Sequence, residues 1–258
     1  MRLLGMFARA ELQTALEYRA NLALDLFLEA VIVATSLAAV LVLFGHTTEL
    51  NGWSLPQMLV LLGVYYVVQG AQAVVFESSF QKFMEQVRLG TLDFTLLKPA
   101  NSQFLVSTRY VQVAQLGQMA MGFAVVAVGV GRVGESLSAW SLLAFAVALV
   151  CGLALVYALL LTLSTLAFWL VRVENILAIF WAFLDAGRFP VDLYPGWLRL
   201  TLSTVVPIGI AVTLPAQAIA GRLDAPDLAL LVAGTALAWA FAGWLWRRGL
   251  RSYTGASA

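Results

Sequence analysis

Residues 140–171 read WSLLAFAVALVCGLALVYALLLTLSTLAFWLV, thirty-two positions without one Asp, Glu, Lys, Arg or His. The hydrocarbon core of a bilayer needs about 20 such residues at about 1.5 Å rise each. The stretch therefore reads as a membrane-spanning helix, here taken as 139–171, long enough to project beyond the bilayer. Working outward, similar runs occupy 22–44, 56–76, 108–130 and 227–247, and a shorter one fills 174–189. Pro56 suits the first turn of its helix. Composition agrees. Of 258 residues, 62% are hydrophobic and 11% charged, whereas an ordinary soluble domain carries about 25% charged residues. The mean hydropathy is +0.89. These values exclude a free soluble enzyme, a nucleic-acid binder and a disordered linker.

Residues 190–226 hold five of the seven prolines (Pro190, Pro195, Pro207, Pro215 and Pro226) and are apolar enough to suggest a seventh span. Charge placement decides against it. With six spans and both termini inside, Arg2, Arg9, Arg19, Lys82, Arg88, Lys98, Arg109, Arg172, Arg247, Arg248 and Arg251 face the cytoplasm, against Arg132, Arg188, Arg199 and Arg222 outside. That is 11 to 4, as the positive-inside rule requires. Residues 190–226 thus read as re-entrant or interfacial helices, tolerated where protein covers the broken backbone. Residues 1–20 carry Glu11, Glu17, Arg9 and Arg19, so they lack the apolar region of a signal peptide. Leu4, Phe7, Ala8, Leu12, Ala15 and Leu16 recur at helical spacing, which predicts an interfacial amphipathic helix or, equally, an extension of the first span. The sequence therefore predicts an all-α membrane protein over 1–258, with six transmembrane helices.

No phosphate loop, nucleophile elbow or His-Glu-x-x-His occurs, so the chain itself has no candidate catalytic residue. One His and one Cys cannot build a usual zinc site. His46 reads as a loop residue and Cys151 as a small packing residue.

Polar residues inside spans are candidates for a substrate path or gate. Gln112 and Gln115 lie three apart on span three with Gln118 continuing the row, and Gln69 and Gln72 do the same on span two. Interhelical hydrogen bonding is the commoner use of such amides. Asp185 and Arg188, also three apart, can neutralise each other, either as a polar patch at the outer gate or as a structural pair anchoring the re-entrant segment. Trp53, Trp140, Trp197, Trp244 and Trp246 fall at span ends and read as interfacial anchors.

The longest polar stretch is 77–107, between spans two and three on the cytoplasmic side. It reads as a short helix, a break at Gly90, a second short helix begun near Thr91–Asp93, and a stop at Lys98-Pro99. A solvated loop would leave Leu89, Leu92, Phe94, Leu96 and Leu97 exposed together, and such clusters mark a contact.

Residues 87–99, VRLGTLDFTLLKP, closely resemble the insert between spans two and three in bacterial ABC-transporter permeases of the type-2 exporter superfamily. Residues 188–199 (RFPVDLYPGWLR), 206–208 (VPI), 214–216 (LPA) and 249–256 (GLRSYTGA) are similar to that family too, so the likeness covers essentially the whole chain. The resemblance implies six spans per permease and two permeases per complex, as a homodimer or a related pair, in the bacterial cytoplasmic membrane. It also implies two separate ATPase subunits that hold the ATP and Mg. The insert would be the coupling element, with Val87, Arg88, Gly90, Thr91, Leu92, Asp93, Phe94, Leu97, Lys98 and Pro99 at the contact. Of these, Arg88 and Asp93 would be polar contacts, and Leu92, Phe94 and Leu97 apolar ones. The apolar path suits an amphiphilic or hydrophobic substrate. Competing readings are an ion-coupled secondary transporter, which would show repeats and midplane charges, and a non-transporting scaffold or sensor subunit.

Overall fold

The computed structural model describes residues 2–133, 138–170 and 174–253. Arg172 and the tail beyond Tyr253 lie outside these residues.

The described chain is helical apart from one small hairpin. Helix α1 (Arg2–Glu17) leads into α2 (Arg19–His46), a long apolar helix that ends at His46. Strands β1 (Glu49–Leu50) and β2 (Trp53–Ser54) pair antiparallel around Asn51 and Gly52. Both turn residues have positive φ (50° and 81°), the geometry that makes Asn-Gly a hairpin turn. Helix α3 (Leu55–Gln72) follows with Pro56 in its first turn, and the Gln57 Oε1 accepts the Ser54 backbone N–H at 3.1 Å. It continues through a π-helical turn (Ala73–Glu77) into α4 (Ser78–Arg88). This unbroken 34-residue helix is about 50 Å long at about 1.5 Å per residue, so it runs well past a bilayer about 30 Å thick.

Short helices α5 (Asp93–Leu96) and α6 (Ser102–Thr108) form a knuckle at the far end of α4. A 3-10 turn (Val113–Gln115) then starts α7 (Leu116–Arg132), and α8 (Ala139–Thr165) returns with a closing 3-10 turn (Leu166–Phe168). Next come α9 (Glu174–Ala186), α10 (Gly196–Leu200), α11 (Ile208–Ile219) and α12 (Ala225–Ser252). Among the described residues, five helical stretches are long and apolar enough to cross a membrane: Arg19–His46, Leu55–Arg88, Val113–Arg132, Ala139–Phe168 and Ala225–Ser252. A bent pair, Gly196–Thr204 and Ile208–Ile219, meets at 88°. Helix α9 has 13 residues and is about 20 Å long, shorter than a bilayer core.

Helix α3 is the centre of the bundle, with Met58, Leu61, Leu62, Val64, Tyr65 and Tyr66 almost fully buried. It packs tightly on α7 because small residues let the backbones meet: a Cβ at Gly63 would stand 2.6 Å from the Val126 nitrogen. Helix α8 meets α11 in the same way, where Gly152 abuts the Ala211 carbonyl. The segment holding α10 and α11 starts and finishes at the hairpin. Asn51 donates to the Asp192 carbonyl at 3.1 Å, and Arg222 donates to the Gly52 carbonyl and, at 3.1 Å, to Gln57. The bent pair therefore returns to the side it came from. Trp53, expected as an interfacial anchor, is instead buried beneath the Arg222 guanidinium, 5.4 Å from its ring centre.

Candidate functional site

The knuckle begins where α4 ends. Gly90 has φ 68°, and its N–H donates to the Val87 carbonyl while Thr91 N–H donates to the Gln86 carbonyl. This is a Schellman stop, which places a left-handed glycine just past the helix and satisfies its last carbonyls. The chain then turns back on α4. Leu92 is fully buried and Thr95 nearly so, its hydroxyl donating to Gln86 Oε1 at 3.1 Å. On the opposite side of α5, Phe94 is 73% exposed and Leu97 81%, with Leu89 also exposed beside them. Arg88, Lys98 and Pro99 are exposed as well, and Val87, Gly90, Thr91 and Asp93 are half-buried. The knuckle is thus an apolar crest on a fixed base. Leu92 is corrected from the sequence expectation: it is the anchor under the crest, because α5 turns it onto α4, and cannot itself meet a partner.

The return leg is tied down. Asn101 caps α6 through the Phe104 N–H at 3.1 Å. Beyond α6, Gln112 N–H donates to the Val74 carbonyl in the π-helical turn at 2.8 Å, and its side chain donates to Ser78. Ser79 accepts the Tyr110 N–H at 2.9 Å. These bonds hold residues 109–112 out of helix, so the third long helix starts at Val113, later than the expected 108. The expected row of glutamines on it breaks up accordingly. Gln112 faces α4, Gln115 lies against Glu29 of α2, and only Gln118 keeps its helical place, donating to Gln69 across α3 and α7 at 3.0 Å. Gln72 is buried and has no hydrogen-bond partner in the described chain.

The base of the knuckle rests on aromatic rings. Phe83 of α4 lies 5.4 Å from Phe168 and 5.2 Å from Trp246, and Phe168 lies 5.9 Å from Tyr253. Trp246 is buried in this cluster and is no interfacial anchor, whereas Trp244 remains half-exposed. The Tyr253 hydroxyl approaches the backbone amides of Leu92 and Asp93 outside strict hydrogen-bond geometry, and burial raises its pKa. Sequence reasoning missed this contact, since nothing marks a tail tyrosine as a neighbour of a segment so far away in the chain. Beside the knuckle, Glu85 and Arg88 face Leu177 and Trp181 of α9 across a cleft of about 390 Å³.

A second polar group lies apart from the knuckle, with Asp185 itself exposed. Asp185 and Arg188, at the end of α9, form an ion pair at 3.2 Å. The Tyr65 hydroxyl donates to Asp185 at 2.8 Å and accepts from Arg188 at 3.1 Å. Next to it, Tyr66 donates to Ser36 of α2 at 2.6 Å. One pair of adjacent tyrosines on α3 therefore holds both α2 and α9. The structure does not bring this network together with the knuckle.

The described residues contain no group of three or more candidate metal ligands. A bundle of helices long and apolar enough to cross a bilayer defines a multi-pass membrane protein. The sequence model of the ABC-2 family transporter proteins matches residues 30–257, and the chain belongs to this family. It is a membrane permease of an ABC transporter, the transporting component and not the catalytic one, and its class works with ABC ATPase partners. No curated protein and no solved structure matches the chain.

Proposed function

We propose that this chain is the permease of an exporter that moves an amphiphilic or hydrophobic substrate, and that the knuckle is where separate ATPase subunits dock. The observation that carries the reading is the crest formed by Leu89, Phe94 and Leu97 above buried Leu92 and Thr95. An exposed apolar crest in water is unfavourable unless a partner covers it. Its base packs on α4, which runs on into α3, so movement of the crest is passed to the centre of the bundle through buried Leu92 and the Thr95–Gln86 hydrogen bond. Arg88 and Asp93 flank the crest as polar contacts, with Val87, Gly90, Thr91, Lys98 and Pro99 shaping it. ATP and Mg belong to the partner.

In this reading the knuckle end faces the cytoplasm of a bacterium and the hairpin end faces outward, as the 11-to-4 split of basic residues supports. A second permease, identical or related, covers the exposed apolar side of α2, where Leu24, Phe27, Leu28, Val31 and Ile32 lie open. Asp185 and Arg188, fixed to Tyr65, brace α9 beside the path, and Gln69, Gln112 and Gln115 tie together the helices around its inner half, where Gln72 also lies.

The test is co-purification of the full chain with ABC ATPase subunits encoded near it. ATP turnover that depends on the chain, and that falls when the crest is made charged by Leu97→Asp, supports the proposal. Ion-driven transport by the chain alone would refute it.

A further inference from the structure

Between α3, α6, α8 and α12 lies a cavity of about 410 Å³, within the range of about 300–1,000 Å³ usual for small-molecule sites. Val75, Phe76, Phe104, Leu153, Tyr157 and Trp239 make most of its wall. The rings are arranged closely, with Tyr157 4.8 Å from Phe76 and 5.0 Å from Trp239 between centres. We infer that this cavity holds an acyl chain of a membrane phospholipid from the leaflet on the knuckle side.

Three observations lead there. First, the polar groups of the wall are already spent. Tyr157 accepts from Gln103 at 3.2 Å and shares a hydrogen bond with Ser107 at 3.1 Å. Thr108 donates to the Phe104 carbonyl at 2.8 Å, and the Trp239 indole N–H donates to the Ala154 carbonyl at 2.8 Å. What faces the space is hydrocarbon, so a polar or charged ligand would lose its hydration and gain nothing. Water has no free partner there, and an empty space would forfeit dispersion contacts.

Second, the cavity is continuous with the surface that meets lipid. Trp239 on α12 is about half-exposed, and Val150 on α8 and Leu237 on α12 are more exposed still. Both helices are long and apolar enough to cross the bilayer. Third, the site lies at the right depth. Tyr157 is eight residues before the end of α8 at Thr165, which is about 12 Å, within the hydrocarbon of one leaflet and on the knuckle side.

Helix α6 is the wall shared with the knuckle, since Phe104, Ser107 and Thr108 line the cavity and α5 precedes α6 by only a few residues. A chain lodged here supports α6 from the membrane side. Because no charged side chain lines the space, selection is by chain and not by headgroup.

The experiment uses the full-length protein in lipid-free detergent, titrated with phosphatidylglycerol or phosphatidylcholine brominated in mid-chain. Tryptophan fluorescence is read for wild type and Trp239→Phe, so that the difference reports Trp239. The inference expects saturable quenching of the Trp239 component, equal for the two headgroups. It also expects loss of the saturable component in Ala154→Phe and Ala71→Leu, which fill the cavity from two different walls. Quenching of wild type that rises linearly without saturation overturns the inference, and needs no variant to fold. So does saturable quenching that survives both filling variants, and so does absence of quenching, which would mean that protein covers the cavity.

Discussion

Truncating the crest and truncating its base have opposite consequences, although the residues are neighbours. Phe94 is 73% exposed and Leu97 81%, so each touches little of its own chain. Burying a whole Phe or Leu side chain is worth about 1.5–3 kcal/mol, so covering the exposed parts contributes about 1–2 kcal/mol each. Phe94→Ala/Leu97→Ala should therefore weaken ATPase binding by about 3 kcal/mol, roughly a hundredfold, with no change in the thermal midpoint of the isolated chain. Leu92 is fully buried, and Leu92→Ala should destabilise the chain by about 2–5 kcal/mol. The assay pairs two measurements in nanodiscs. Titration of ATPase subunits reports affinity, and thermal unfolding of the permease alone reports stability. Wild-type ATPase affinity and turnover in the crest double variant would refute the docking argument. An equal loss of stability in the crest and base variants would refute the division between them.

Other outcomes follow from the same structure. Gly90→Ala forces an L-residue into the left-handed region at φ 68°, at a cost of about 1–2 kcal/mol, and should lower ATPase stimulation while membrane insertion, read by cysteine accessibility, stays intact. Gly63→Leu drives a side chain against the Val126 backbone and should abolish folded protein in gel filtration. Asp185→Asn alone leaves Arg188 without its ion-pair partner and removes the acceptor of the Tyr65 hydroxyl, so it should lower thermal stability more than Asp185→Asn/Arg188→Gln does, since a guanidinium left without its partner is costlier than no charge. Equal effects of the single and double variants would show that the pair does not act as a unit.

Long apolar runs made the long helices legible: residues 22–44, 56–76 and 227–247 lie within helices of the structure, and the run from 139 is helical as far as Phe168. Where the chain leaves lipid the signal weakens. Residues 77–88 change from apolar to amphipathic, so the short helix before Gly90 reads as separate from the second span, yet the backbone runs through both without a break. The knuckle's plan was legible because Gly90 and Pro99 are strong punctuation. Its packing was not, since periodicity over a four-residue helix cannot say whether Leu92 or Phe94 faces inward. The glutamine row failed because the Gln112-to-Val74 hydrogen bond displaces the helix start, and such non-local competition leaves no trace in spacing. Trp53 and Trp246 were misplaced for a related reason: interface tryptophans and core tryptophans share the same positions near span ends, and only a neighbour such as Arg222 or Phe83 distinguishes them. The Asn51-Gly52 pair was a readable hairpin signal that would have drawn Trp53 inward.

The account rests on the crest meeting an ATPase subunit. Its most direct test is a photo-crosslinking residue placed at Leu97, compared with one at Asn51 in the hairpin, in cells that express the permease with its ATPase. The account predicts capture of the ATPase from position 97 and none from position 51. Capture from the hairpin, or from neither position in a complex that still turns over ATP, would contradict it.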